Sequence, residues 1–167
     1  MKIKDLKPGQ ELTYQQLCEI FDTKFYRGMN RRKTLNSLIL ISNHTKSFYE
    51  DEWKDNIFYY TGEGQTGDQK LNGQNKTIAE SNENGVKVYL FEVHDPGVYF
   101  FQGLVRLESK PYQELQEDYK GNKRLVWIFP LKLIDQNQPN AIPDESFQKK
   151  EKIRQKNAAK LSNEELI

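Results

Sequence analysis

The chain has 167 residues, enough for one packed core and too few for two large domains, and 25 Lys and Arg against 24 Asp and Glu leave it at +1. That balance excludes a wholly basic binding protein, so any nucleic-acid contact must rest on local clusters of charge. The single cysteine, Cys18, excludes a disulfide framework and a thiolate metal cluster. No apolar run approaches the roughly 18 residues of a membrane span, and the Met-Lys-Ile-Lys-Asp start has no signal-peptide core, so a cytoplasmic protein without membrane contact is expected.

Nine Tyr, nine Phe and two Trp carry much of the apolar area. Aromatic rings bury large surfaces and can close a small core, and they also stack on nucleic-acid bases.

In chain order, the first element is a helix. Thr13 stands as N-cap with Gln16 three residues on, a capping box, and Leu12 and Leu17 occupy the positions of a hydrophobic staple. Leu17, Ile20 and Phe21 then share one apolar face. Lys24, Arg27, Arg31, Arg32 and Lys33 follow with no acid among residues 24–33. This is either a solvated loop or a phosphate-contacting patch.

The middle of the chain reads as strands: 38–41, 57–60, 86–93, 98–107 and 125–131, the last ending near a proline. His94-Asp95-Pro96-Gly97 is a turn signal between two of them. Residues 107–125 are polar and read as a loop with some helix. With one clear helix and no alternation of strands and helices, the expected class is α+β or a barrel, without parallel crossovers. Residues 135–143, rich in Asn, Gln and Pro, read as a linker, and 146–161 as a Lys-rich helix with too few apolar residues for a core face. The expected organisation is a domain over 1–134, and a linker and polar helix over 135–167 leading to a further domain.

Several motifs invite chemistry. Gly62-Glu63-Gly64-Gln65-Thr66-Gly67 fits a dinucleotide fingerprint, but the residues after it are polar and glycine-broken where that site needs an amphipathic helix. The nuclease-like [DE]-x-K tripeptide starts at Asp5, Asp22, Glu52, Asp68, Glu108 and Asp118, and a pattern so frequent carries little information. His44 and His94 are the only histidines, and neither has a His or Cys neighbour at metal-ligand spacing. Neither a catalytic residue, a metal nor a cofactor is therefore expected.

The informative constellation is Phe48-Tyr49-Glu50-Asp51-Glu52-Trp53, then Tyr59-Tyr60-Thr61-Gly62, then Gly67-Asp68-Gln69-Lys70-Leu71, with Asn75 after it. In this order the pieces resemble the SET- and RING-associated (SRA) domain, which reads cytosine modification. Gly85-Val86-Lys87-Val88 and Val126-Trp127 match further strands of that family, so the likeness runs over roughly 38–134. The Gly-Glu-Gly-Gln version resembles bacterial members fused to HNH nuclease domains.

The resemblance implies a PUA-like twisted β-barrel with flanking helices that flips 5-methylcytosine or a relative out of duplex DNA and targets an attached nuclease. Carried onto this chain, Tyr49 and Tyr60 would sandwich the base, and Asp51 or Glu52 would accept from the cytosine N4 amino group. Thr61 and Gly62 would line the pocket, while Arg31, Arg32, Lys33, Gln65 and Lys70 would touch the DNA backbone. The competing reading of both tyrosines is core packing. The chain departs from the family at Phe101-Gln102-Gly103, which keeps the glycine of a Tyr-Asp-Gly motif and loses the acid. It also has a short 61–68 segment where eukaryotic members insert a finger. A small metal-dependent nuclease and an RNA-binding PUA-like module are the rival readings.

Overall fold

The computed structural model describes residues 1–45 and 49–134. Its first helix, α1 (Tyr14–Phe21), starts at the expected box: the Thr13 amide donates to Gln16 Oε1 at 2.9 Å and the Gln16 amide to Thr13 Oγ1 at 3.1 Å. Each bond satisfies a donor that a helix start leaves orphaned. The buried face is Leu17, Ile20 and Phe21, packed with Leu12, Tyr89, Phe91 and Phe101.

That face covers one side of a nine-stranded sheet. In sequence the strands are β1 (Glu11–Leu12), β2 (Met29–Arg32), β3 (Ser37–Asn43), β4 (Glu52–Lys54), β5 (Ile57–Thr61), β6 (Lys87–Val93), β7 (Tyr99–Leu107), β8 (Tyr112–Glu117) and β9 (Lys123–Leu133). The hydrogen-bonded order is β2-β3-β6-β7-β9-β5-β4, with β1 added to β7 and β8 to β9.

Alternation explains the apolar runs of β3 and β6. Leu38, Leu40, Val88 and Leu90 enter one core with Phe58, Tyr60, Ile78 and Phe129, while Ile39, Tyr89 and Phe91 enter the other beneath α1. Strands buried on both faces lose the polar half of the pattern. The same pair, β3 and β6, is parallel, which the expectation of no crossover missed. The crossover carries two short helices, α2 (Gly73–Ala79) and α3 (Ser81–Asn84), whose sequences are nearly all polar; α2 buries only Asn75 and Ile78.

Two further expectations are corrected. Residues 112–117 are strand and not loop: β9 runs for 11 residues and offers an edge to β8, whose own pattern buries only Tyr112 and Gln116. Pro130 lies inside β9 and does not end it. It falls between the last β8 rung at Ile128 and the first β7 rung at Leu131, where a missing N–H breaks no ladder bond.

The second half of the basic cluster is also no loop. Arg31 and Arg32 lie on the sheet-edge strand β2, and Lys33 begins a short 3-10 turn. Arg31 donates to the Ser37 carbonyl at 2.9 Å and to Asn36 Oδ1 at 3.1 Å. The Nε of Arg32 donates to the Phe21 carbonyl at 3.0 Å, satisfying the end of α1, and its Nη2 stands 3.9 Å from Asp22. These guanidiniums are held by the protein itself. The linker and helix expected over 135–167 lie outside the described residues, and among the described ones no helix is long and apolar enough to cross a membrane.

Candidate nucleic-acid interface

The ends of three strands and two connections converge on one cleft of about 440 Å³. Ile41 and Asn43 come from β3, Tyr60 from β5, Tyr99 from β7, Tyr49 and Asp51 from the segment before β4, and Phe25 to Gly28 from the α1–β2 connection. A second lobe of about 370 Å³ continues past Tyr49 and Tyr60 to Thr61, Gly62 and Gly64, with Gln65 at both. The combined size suits a small planar ligand held by few polar groups.

Asp51 is the acid of this cleft. Its Oδ2 accepts from Ser42 Oγ at 2.7 Å and its Oδ1 from the Thr61 amide at 2.7 Å. Burial pushes the carboxyl above its ordinary value of 3.8, against the hydrogen bonds from Ser42 and Thr61 and the nearby His44. Glu52, the other candidate, points elsewhere: it is exposed on β4 and pairs with Lys54 at 3.1 Å. Strand alternation separates them, because neighbouring side chains leave a strand on opposite faces.

A raised native-state value means that the folded protein holds this proton more tightly than the unfolded chain. The contribution to stability is present below pH 3.8 and is lost as the pH rises through the raised value. Asp51→Asn keeps an oxygen for the Thr61 amide and carries no charge. Its melting temperature is expected to exceed that of the unmodified chain at pH 7, with the difference closing as the pH falls toward 3.8. Melts at both ends of this range check it.

The two tyrosines differ in kind. Tyr60 is 3% exposed, stands in the core beside Phe58, and donates its hydroxyl to the Gly28 carbonyl at 3.0 Å. It is therefore a core residue and the cleft floor at once, so the two readings of it are not exclusive. Tyr49 is the more open wall. Its hydroxyl donates to the Gly64 carbonyl at 3.1 Å, and the Arg124 guanidinium lies 5.9 Å from its ring centroid.

Behind Tyr49 the glycine-rich loop is clamped from several directions. Arg124, buried, donates to the carbonyls of Gly64 and Gly67. Gln69 donates to Gly62 O at 2.6 Å and accepts from the Trp127 amide at 2.9 Å, while the Leu125 amide donates to Asp68 at 2.8 Å. Asn75 brackets Glu63, accepting from its amide at 2.9 Å and donating to its carbonyl at 3.0 Å. Gly62 fits this clamp because a Cβ there would lie 2.7 Å from Asn75 Oδ1 and 2.9 Å from Gln69 Oε1. The Asp-Gln-Lys-Leu motif thus shapes the loop.

The remaining candidates separate. Thr61 is buried beside Asp51, and Gln65 is exposed at the mouth. Lys70 is exposed along a side groove with Arg27 and Glu63. Arg31, Arg32 and Lys33 line neither lobe. Sequence reasoning missed Tyr26, 82% exposed at the rim, and Arg27, exposed and 3.7 Å from Glu63. The acid-free cluster held their signal: Arg27 lines the cleft, and Arg31, Arg32 and Lys33 lie away from it. Gln102, at the position of the missing acid, sits at a bulge in β7 and donates at 2.5 Å to Glu92 on β6.

The family model described as "ScoMcrA-like, SRA domain" matches residues 8–156. Among curated proteins, none matches this chain. Among solved structures, the sulfur-binding and SRA domains of ScoMcrA complexed with phosphorothioated DNA superpose with a TM-score of 0.65 at 16% identity, over 84% of this chain and 44% of that one. The type IV phosphorothioation-dependent restriction endonuclease ScoMcrA gives 0.66 at 16%, over 84% of this chain and 27% of its own. The SUVH5 SRA domain bound to fully hydroxymethylated CG DNA gives 0.61 at 22%, over 83% and 95%. The chain spans less than half of the ScoMcrA structures and nearly all of the plant domain, and the shared fold is the PUA-like, mostly-sheet one.

Proposed function

The chain belongs to the ScoMcrA-like SRA domain family, and from that membership we propose that it binds duplex DNA carrying 5-methylcytosine or a related modified cytosine and flips that base into the cleft. The reading domain is the stretch that the family model matches, residues 8–156, and the partner it targets to modified DNA is a nuclease domain of HNH type. The reader itself is not a catalyst. The observation that carries this reading is the cleft chemistry: one desolvated carboxylate, Asp51, between an open aromatic wall, Tyr49, and an aromatic floor, Tyr60. Cytosine offers an N4 amino donor to a carboxylate and a flat face to the rings, and both contacts need the base out of the stack.

The exposed rim supplies what extrusion requires outside the cleft. Tyr26 is placed to wedge into the gap left by the base, as inserted apolar side chains do in kinked duplexes. Arg27 beside it meets the backbone. Arg27→Ala is expected to weaken modified and unmodified duplexes alike and to flatten the salt dependence by about one unit of slope. An Arg31→Ala, Arg32→Ala double variant is expected to lower stability with little change in that slope, since both guanidiniums already hold backbone carbonyls. Titrations over a range of salt concentrations distinguish the two.

The test of the function is a binding comparison of duplexes carrying cytosine, 5-methylcytosine and 5-hydroxymethylcytosine, with a phosphorothioate duplex and an RNA duplex as further arms. Tighter binding of a modified-cytosine duplex supports the reading. Equal binding of all the DNAs, or preference for RNA or for the phosphorothioate alone, overturns it. Metal-dependent cleavage by the chain would favour the nuclease instead.

A further inference from the structure

Behind the cleft wall, on the far side of Ser42, His44, Glu92 and His94 meet with their ligand-type atoms within 4.8 Å of one another. We infer that they form a binding site for a borderline divalent transition-metal ion, zinc foremost, in which three protein ligands leave one solvent-facing position.

Glu92 anchors the site, with its side chain 3% exposed. Its Oε2 accepts from Trp53 Nε1 at 3.1 Å and from Gln102 Nε2 at 2.5 Å. These donors fix the carboxylate and leave Oε1 turned toward both histidines. His44 Nε2 lies 3.0 Å from Oε1, and His94 Nε2 lies 3.9 Å from it. Bonds of about 2.0–2.1 Å in a tetrahedral zinc site set ligand atoms about 3.3 Å apart, so the two separations straddle the required one. A rotation of the exposed His94 side chain out of its stack on His44 closes the set.

The backbone supports the arrangement. The His44 amide donates to the Val93 carbonyl at 2.8 Å, so the parallel pairing of β3 and β6 delivers both histidines to one end of the sheet. The rings stack at 4.4 Å and are within 3° of parallel, so metal binding requires the exposed His94 ring to leave this stack and turn its in-plane lone pair toward the ion. One buried carboxylate needs only one imidazole as hydrogen-bond partner, and His44 already serves. A second imidazole aimed at the same oxygen is surplus to that role and natural for a metal ion. Two nitrogens and one oxygen suit zinc, whereas magnesium and calcium prefer oxygen alone. Trp53 and Gln102 are the outer donors that orient a ligating carboxylate. Bound metal would clamp the ends of β3 and β6 two residues from Ser42, the partner of Asp51.

The experiment uses the untagged full chain, stripped with chelator and titrated with Zn²⁺ by calorimetry and thermal melts, with Mg²⁺ in parallel. Expected are one zinc per chain, a melting temperature that rises with zinc concentration, and no rise with Mg²⁺. His94→Ala, at an exposed position, should leave the metal-free melt unchanged and abolish the zinc-dependent rise. Gln102→Leu should weaken zinc about 10- to 100-fold. Absence of stoichiometric zinc binding in the unmodified chain, or an undiminished rise in His94→Ala, overturns the assignment.

Discussion

Replacing Asp51 by asparagine or alanine is expected to erase the preference for 5-methylcytosine over thymine at the flipped position, a loss of about 1–3 kcal/mol or roughly five- to 150-fold. The two bases share the 5-methyl group, so the comparison isolates the Watson–Crick edge. Thymine turns a carbonyl toward the carboxylate where cytosine turns an amino group, and two acceptors repel. In the asparagine variant Oδ1 stays with the Thr61 amide, so Nδ2 takes the carboxylate's other position and meets the amino group as donor against donor. Alanine removes the acceptor altogether and leaves the Thr61 amide unpaired, at about 1–3 kcal/mol of stability. Asparagine is therefore the cleaner variant, losing discrimination while keeping the fold. Glu52→Gln, on the other face of β4, is expected to leave both unchanged. Competition titrations with matched duplexes, read beside melts, check the set.

Tyr49→Ala is expected to cost modified-duplex binding about 1–3 kcal/mol, while background attraction to phosphates survives. Tyr49→Phe keeps the stacking ring and gives up the hydroxyl's bonds to Gly64 and Arg124, so its loss should be small. Tyr60 behaves otherwise because it is both floor and core. Truncating a buried aromatic costs about 3–5 kcal/mol of stability, so Tyr60→Ala should depress all binding in proportion to unfolding. Even Tyr60→Phe should lower the melt, since its hydroxyl holds the Gly28 carbonyl. Affinity and melting temperature, measured on all four variants, separate a stacking wall from a structural floor.

What could be read from the sequence follows from how local each signal is. The start of α1 is written within four residues by Thr13 and Gln16, and both bonds form. β3 and β6 were legible because burial on both faces leaves unbroken apolar runs. β8 was not, since Tyr112 and Gln116 alone turn inward and its pairing is dictated by the long β9 edge. Polar α2 and α3 owe their place to the crossover they complete. In the cleft, Tyr49, Asp51 and Tyr60 were accessible through the resemblance, while the choice of Asp51 over Glu52 required the strand's two faces. Ser42, Arg27 and Arg124 reach the cleft only through folding, and so does the meeting of His44 with His94.

Base flipping is the claim on which the rest depends, and 2-aminopurine placed beside the modified cytosine reads it directly, because its fluorescence rises when a neighbouring base leaves the stack. Fluorescence is expected to rise on binding the modified duplex, to rise little with the unmodified one, and to rise less, in parallel with affinity, in Tyr49→Ala. Tight, modification-selective binding with no rise in fluorescence would contradict base flipping.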